Sequence, residues 1–143
     1  MAKRLQTYRT SEIEVTFDPN RCTHYAACIR GLPEVFDSRV IPWVRPEAAD
    51  PSRIAEVVSR CPTGALHARW LDGRVGPAEP APATATVTAS RNGPLYVRGD
   101  VRLELEDGTL LLHDERVALC RCGKSARQPF CDGSHKAVGF VAG

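Results

Sequence analysis

Cys120, Cys122, Cys131 and His135 fall within sixteen residues, in the spacing C-x-C-x8-C-x3-H. The residues between them are too polar and too glycine-rich to make a packed element by burial alone. Thiolate and imidazole donors suit zinc, copper or iron–sulfur clusters, whereas magnesium and calcium prefer oxygen. A bound metal would give this stretch the fixed shape that burial does not. Any fold of the chain must present these four side chains together.

Three further cysteines, Cys22, Cys28 and Cys61, lie in the first half. Six cysteines in 143 residues could form three disulfides. No apolar signal segment follows Met1, Ala2, Lys3 and Arg4, so secretion is not expected. No apolar run approaches the roughly 18 residues of a membrane span. The expected location is the reducing cytoplasm, which favours metal ligation over disulfides. Two small domains would each have a thin core, and a metal is a common staple for such domains. The net charge of +2 is spread without a basic block, which argues against nucleic-acid binding.

Hydrophobic periodicity predicts the elements. Residues 1–11 are polar and read as a frayed end. Ile13, Val15 and Phe17 alternate with Glu12, Glu14 and Thr16 in a half-buried strand. Cys22 to Gly31 favours a short helix with Gly31 just past its end. The run 41–46 is interrupted by Pro42 and Pro46 and reads as an extended loop or edge. A better-marked helix starts with Asp50 as cap and Pro51 in the first position. Ile54, Val57, Val58 and Cys61 share its buried face, and Pro62 ends it. Residues 65–70 alternate again, with Leu66, Ala68 and Trp70 inward, and can pair with 12–17.

This gives a β-α-α-β domain over 1–71, then a Pro/Gly/Ala-rich stretch, 72–83, that reads as a semi-rigid linker. Residues 84–143 are β-rich. Strands are expected at 84–89, 95–98, 101–105 and 109–113, with Asp107 and Gly108 as a hairpin turn. Val117 and Leu119 lead into Cys120. One helical turn opens at Gly133, and Val138, Phe140 and Val141 return to the sheet. The fold class is α+β.

Cys120, Cys122, Ser125, Pro129, Cys131, Asp132, Gly133, Ser134 and His135 closely resemble the CDGSH iron–sulfur family, the mitoNEET-like proteins, at the family's spacing. The resemblance implies a [2Fe-2S] cluster, with Cys120 and Cys122 on one iron and Cys131 and His135 on the other. Residues 12–70 resemble the divergent single-cluster ferredoxins. That likeness rests on Cys22, His24, Cys28, the run 31–36 and Cys61 followed by Pro62, Thr63, Gly64 and Ala65. Tyr25 stands where the middle cysteine of a ferredoxin run would be. Three cysteines suit a [3Fe-4S] cluster; with His24 as fourth ligand they suit a [4Fe-4S] cluster. Tyr25 is expected to pack over the cluster, and His67 and His113 to be non-ligands. Phe36, Trp43 and Trp70 are expected in the core, where they could also keep water from the cluster.

A single histidine ligand should raise the reduction potential less than the two of a Rieske centre. It should also make the cluster acid-sensitive below about pH 6.5, because only neutral imidazole binds metal. Asp132 is expected to cap the turn after it. Lys124, Arg127 and Lys136 would screen the cluster or meet an acidic partner. The chain carries no nucleotide-binding glycine loop and no nucleophile–base constellation. The reading is therefore a non-enzymatic, cytoplasmic electron carrier between a reductase and an acceptor. The alternatives are a cluster donor or redox/pH sensor and, third, a zinc-stapled interaction module.

Overall fold

The computed structural model describes residues 3–80 and 84–143. The chain forms two compact units, the first comprising Met1–Cys61 and Ala65–Pro80, the second Pro62–Gly64 and Ala81–Gly143.

In the first unit, strands β1 (Gln6–Arg9), β2 (Ile13–Phe17) and β3 (Leu66–Trp70) form an antiparallel sheet in the order β1-β2-β3. The register sets Ile13 opposite Trp70 and Phe17 opposite Leu66. Helix α1 (Ala27–Gly31) is short, and Gly31 lies inside it, one residue earlier than expected from the sequence. Helix α2 (Pro51–Val58) has the expected start: the Asp50 carboxylate accepts from the Ser52 amide, which satisfies one open backbone donor of the first turn. Its apolar face, Ile54, Ala55, Val57 and Val58, is buried. It joins Ile13, Val15, Leu32, Val35, Phe36, Val44 and Leu66 in one core. Trp43 and Trp70 pack against this core only partly buried. The 41–46 stretch bends back so that Phe36 and Val44 form an isolated bridge, and Pro46–Ala48 makes a turn of 3-10 helix.

Three expectations change here. The segment taken as a frayed end contains β1, paired with β2 from Gln6–Phe17 to Arg9–Glu14. Glu14, expected outward, is only 6 % exposed, because Arg9 and Arg69 close over its carboxylate at 2.9 and 2.7 Å. The stretch expected as linker belongs to the first unit as far as Pro80. Glu79 reaches back to the edge of β3, where it accepts from the Ala68 amide at 2.8 Å and pairs with His67 at 2.9 Å. The rest of that stretch, 81–83, and the start of the expected frayed end, residues 1–2, lie outside the described residues.

In the second unit, β4 (Thr86–Ala89), β5 (Leu95–Glu104) and β6 (Leu110–Leu119) form an antiparallel sheet in that order. The two short strands expected at 95–98 and 101–105 are one strand with an irregularity between Arg98 and Val101. Gly99 sits in it at φ 133°, and a Cβ there would lie 2.9 Å from the Ala85 Cα. Only glycine meets both the torsion and the close approach. β6 continues through Val117 and Leu119 and so delivers Cys120. Helix α3 (Ser134–Ala137) is the expected single turn. Val138, Phe140 and Val141 do not return to the sheet as a strand. The Ala142 carbonyl and amide instead bond the backbone and side chain of Asn92.

Candidate metal centres

The C-terminal loop is built on pairing between the end of β6 and residues 129–131. Leu119 bridges Phe130, the Cys120 amide donates to the Pro129 carbonyl at 2.8 Å, and the Cys131 amide donates to the Ala118 carbonyl at 2.9 Å. This holds Cys120 and Cys131 on two paired stretches of backbone. Ser125 braces the interior: its hydroxyl donates to the Phe130 carbonyl at 2.6 Å and accepts from the Arg127 amide at 3.0 Å. Asp132 caps as expected, accepting from the Ser134 amide at 2.9 Å, and it also spans the loop to the Ala126 amide at 2.8 Å. These bonds, led by Ser134, hold its carboxyl down at about 2.

Within this frame the donors come in two pairs. Cys120 Sγ and Cys122 Sγ are 3.8 Å apart, and Cys131 Sγ lies 3.6 Å from His135 Nδ1. Two sulfurs bound at about 2.3 Å to one tetrahedral metal stand about 3.8 Å apart, and a sulfur and an imidazole nitrogen about 3.6 Å. Each pair therefore has the bite of a one-metal chelate. Among the described residues, no three Cys, His, Asp or Glu side chains meet closely enough to share a single ion.

The thiols are prepared by backbone amides. The Lys124 amide points at Cys122 Sγ and the Gly133 amide at Cys131 Sγ, each at 3.4 Å. Burial pushes Cys120 up, but the amides of Ser125 and Gly123, with Cys122 and Gln128, outweigh it and bring the thiol below its ordinary value. Burial raises Cys131, reinforced by the charges of Asp132, Cys120 and Cys122. Burial, then Lys136, lowers His135 against the opposing pull of Asp132, which favours the neutral imidazole that ligates metal.

Two neighbours have no counterpart in the sequence reading. The Arg121 guanidinium, between the first two cysteines, donates to the carbonyls of Ser90, Gly93, Ala142 and Gly143 and stacks on Phe140. Gln128 Nε2 lies 3.3 Å from Cys120 Sγ. Arg121 could have been suspected as a cation inside a C-x-C pair; Gln128 carries no pattern that marks it.

In the first unit, Cys22, His24 and Cys28 line one cavity of about 570 Å³, walled by Tyr8, Phe17 and Trp43 among others. Trp43 meets Phe17 edge-on at 4.8 Å. Cys61, just past α2, packs against the adjoining core. Burial, then the charges of Cys61 and Cys22, pushes Cys28 up to about 11. The loop is strained: His24 and Ala26 hold φ of 59° and 67°, a left-handed region costly for residues with a Cβ. That turn lets the His24 amide point at Cys22 Sγ at 3.4 Å. Tyr25, expected over the cluster, is 51 % exposed and carries Arg30 on its ring. His24 lines the cavity instead. His67 and His113 pair with Glu79 and Asp100, at 2.9 and 2.6 Å.

The donor sets fit iron–sulfur groups: soft thiolates with one imidazole, and N–H groups aimed at sulfur. Residues 92–136 match the family described as iron-binding zinc finger, CDGSH type. Residues 8–70 match the family described as divergent 4Fe-4S mono-cluster. The uncharacterized protein YjdI of Escherichia coli strain K12 is 34 % identical over 62 residues, which is 43 % of this chain and 82 % of that protein. YjdI of Escherichia coli O157:H7 matches to the same extent. Among the described residues, no helix is long and apolar enough to cross a membrane. The chain belongs to both families, a divergent mono-cluster iron–sulfur domain followed by a CDGSH domain.

Proposed function

We propose that this protein is a two-cluster carrier of single electrons in the cytoplasm, without catalytic activity of its own. The observation that carries this reading is the pair of bite distances in the C-terminal loop, 3.8 Å for Cys120–Cys122 and 3.6 Å for Cys131–His135. They suit two neighbouring irons, and so a [2Fe-2S] cluster. In the first unit Cys22, Cys28 and Cys61 hold the second cluster. His24 lines the same cavity as Cys22 and Cys28, which favours a [4Fe-4S] cluster with His24 as fourth ligand over a [3Fe-4S] cluster on the three cysteines alone. When bound, the clusters supply the one-electron couples.

The chain's own residues do the rest. Trp43, Phe17 and Tyr8 wall the first cavity against water, and backbone amides stabilise the thiolates in both units. Lys124 and Lys136 are exposed beside the C-terminal ligands and suit a redox protein, reductase or acceptor, with an acidic face. Nucleic acid and membrane are not partners in this reading. Anaerobic EPR with iron and sulfide counts tests it. A colourless, iron-free protein purified without oxygen would end it, and the EPR signal separates [3Fe-4S] from [4Fe-4S].

A second reading, cluster donation or sensing, draws on the half-exposed state of Cys120, Cys122 and His135. A donor passes its C-terminal cluster to an apo acceptor on oxidation or acidification; a carrier cycles and keeps it.

A further inference from the structure

We infer that Gln128 is a positioning residue that sets the reduction potential of the C-terminal centre, through an N–H···S hydrogen bond from its side-chain amide to Cys120. This rests on the cluster reading above. Gln128 Nε2 stands 3.3 Å from Cys120 Sγ, within reach for a sulfur acceptor. A metal-bound thiolate only accepts, so the amide turns its N–H group toward it.

The placement follows from the backbone. Residue 128 directly precedes Pro129, whose carbonyl accepts from the Cys120 amide at 2.8 Å. Phe130 bridges Leu119, and its amide donates to the Arg127 carbonyl at 2.9 Å. The Ser125 hydroxyl ties Phe130 and Arg127 from the inside. Residue 128 is thus held across from Cys120 by main-chain bonds on both sides. Its side chain is exposed and free of packing duty.

The other donors to these sulfurs are backbone amides, Ser125 and Gly123 on Cys120, Lys124 on Cys122 and Gly133 on Cys131, which side-chain substitution does not remove. Among the described residues, Gln128 is the one side chain, other than the ligands themselves, that donates to a sulfur of this centre. A hydrogen bond to a ligand sulfur offsets negative charge and favours the reduced state. Removing it therefore lowers the potential.

The test is an optical redox titration of the full-length protein, purified anaerobically, with iron and sulfide counted per chain. Gln128→Leu removes the donor at similar bulk; Gln128→Glu keeps the shape but brings a negative charge. The expected result is a negative shift of the C-terminal midpoint in both, larger for Glu. Iron and sulfide content and the midpoint of the first unit's centre stay unchanged. Fully loaded variants that titrate at the wild-type midpoint would overturn the inference. So would loss of the cluster in Gln128→Leu, which would make Gln128 a structural brace. A wild-type chain with no iron or sulfide would instead overturn the cluster reading.

Discussion

In the first unit, eleven buried apolar side chains from a sheet, a helix and the loop between them meet in one core. In the second, the buried apolar side chains among those described are Pro94, Val117, Ala118 and Cys131, and β4 is exposed along its whole length. The difference shows in how each cysteine loop is held. Cys28 and Cys61 lie against a core that is already packed. Cys120 to His135 is held by main-chain pairing, the Ser125 and Asp132 bridges and the Arg121 guanidinium. A unit with so little buried apolar surface depends on polar bonds and on its metal for a fixed shape.

Removing the metal should therefore break the two units unequally. On chelation under reducing conditions, amides of β6 and of residues 120–135 should lose hydrogen-exchange protection by orders of magnitude. Those of β2 and α2 should stay protected. Equal loss in both units would remove the contrast. Acid is a gentler route to the same end. Only the neutral imidazole binds metal, and because His135 titrates below its ordinary value of about 6.5, protons should displace it only at pH below that value. The visible bands of the C-terminal centre should then decay faster at pH 5.5 than at pH 8, and more slowly in His135→Cys. Equal decay at both pH values would mean that the histidine is not the weak ligand.

The converse test attacks the packed unit. Ile54→Ala removes a fully buried side chain at the centre of the core and should cost about 3 kcal/mol in chemical unfolding of the first unit. The C-terminal spectrum should not change. A smaller effect is expected at Glu14, where Arg69, then Arg9, holds the carboxyl below its ordinary value. Glu14→Gln should cost about 1.5 kcal/mol at pH 7, since both arginines are largely exposed and regain water. The folded pKa is the depressed one. This stabilisation is therefore complete above the ordinary glutamate value of about 4.3 and is lost as pH falls through the folded value. The Gln variant should show a shallower loss of stability with acid in that window. Asp50→Ala removes one cap bond and should cost about 1 kcal/mol, read as a lower denaturant midpoint for the first unit alone.

What the residues alone revealed follows the same division. The α2 cap and the β2–β3 pair were legible because their apolar periodicity is strong and local. β1 was not: Gln6 and Tyr8 are half-buried, so the strand shows little apolar alternation and is defined by pairing with β2. The burial of Glu14 depends on Arg69, fifty-five positions away, and that of Glu79 on the open edge of β3. Neither is a local pattern. The four C-terminal donors were legible as a motif, while their pairing distances and the Arg121 and Gln128 contacts arise only when the loop closes. Tyr25 was misplaced because a turn with two left-handed residues rotates side chains away from where simple spacing puts them.

Arg121 has a consequence for proteolysis. A trypsin-like protease must take an arginine head into its specificity pocket. This guanidinium is engaged by four backbone carbonyls and the Phe140 ring, whereas Lys124, three residues on, is exposed. The Lys124 head is already open to such a pocket, whereas the Arg121 head must first leave its contacts. The ratio of the two cuts is thus a clock for loop opening, readable by mass spectrometry without reference to colour or potential.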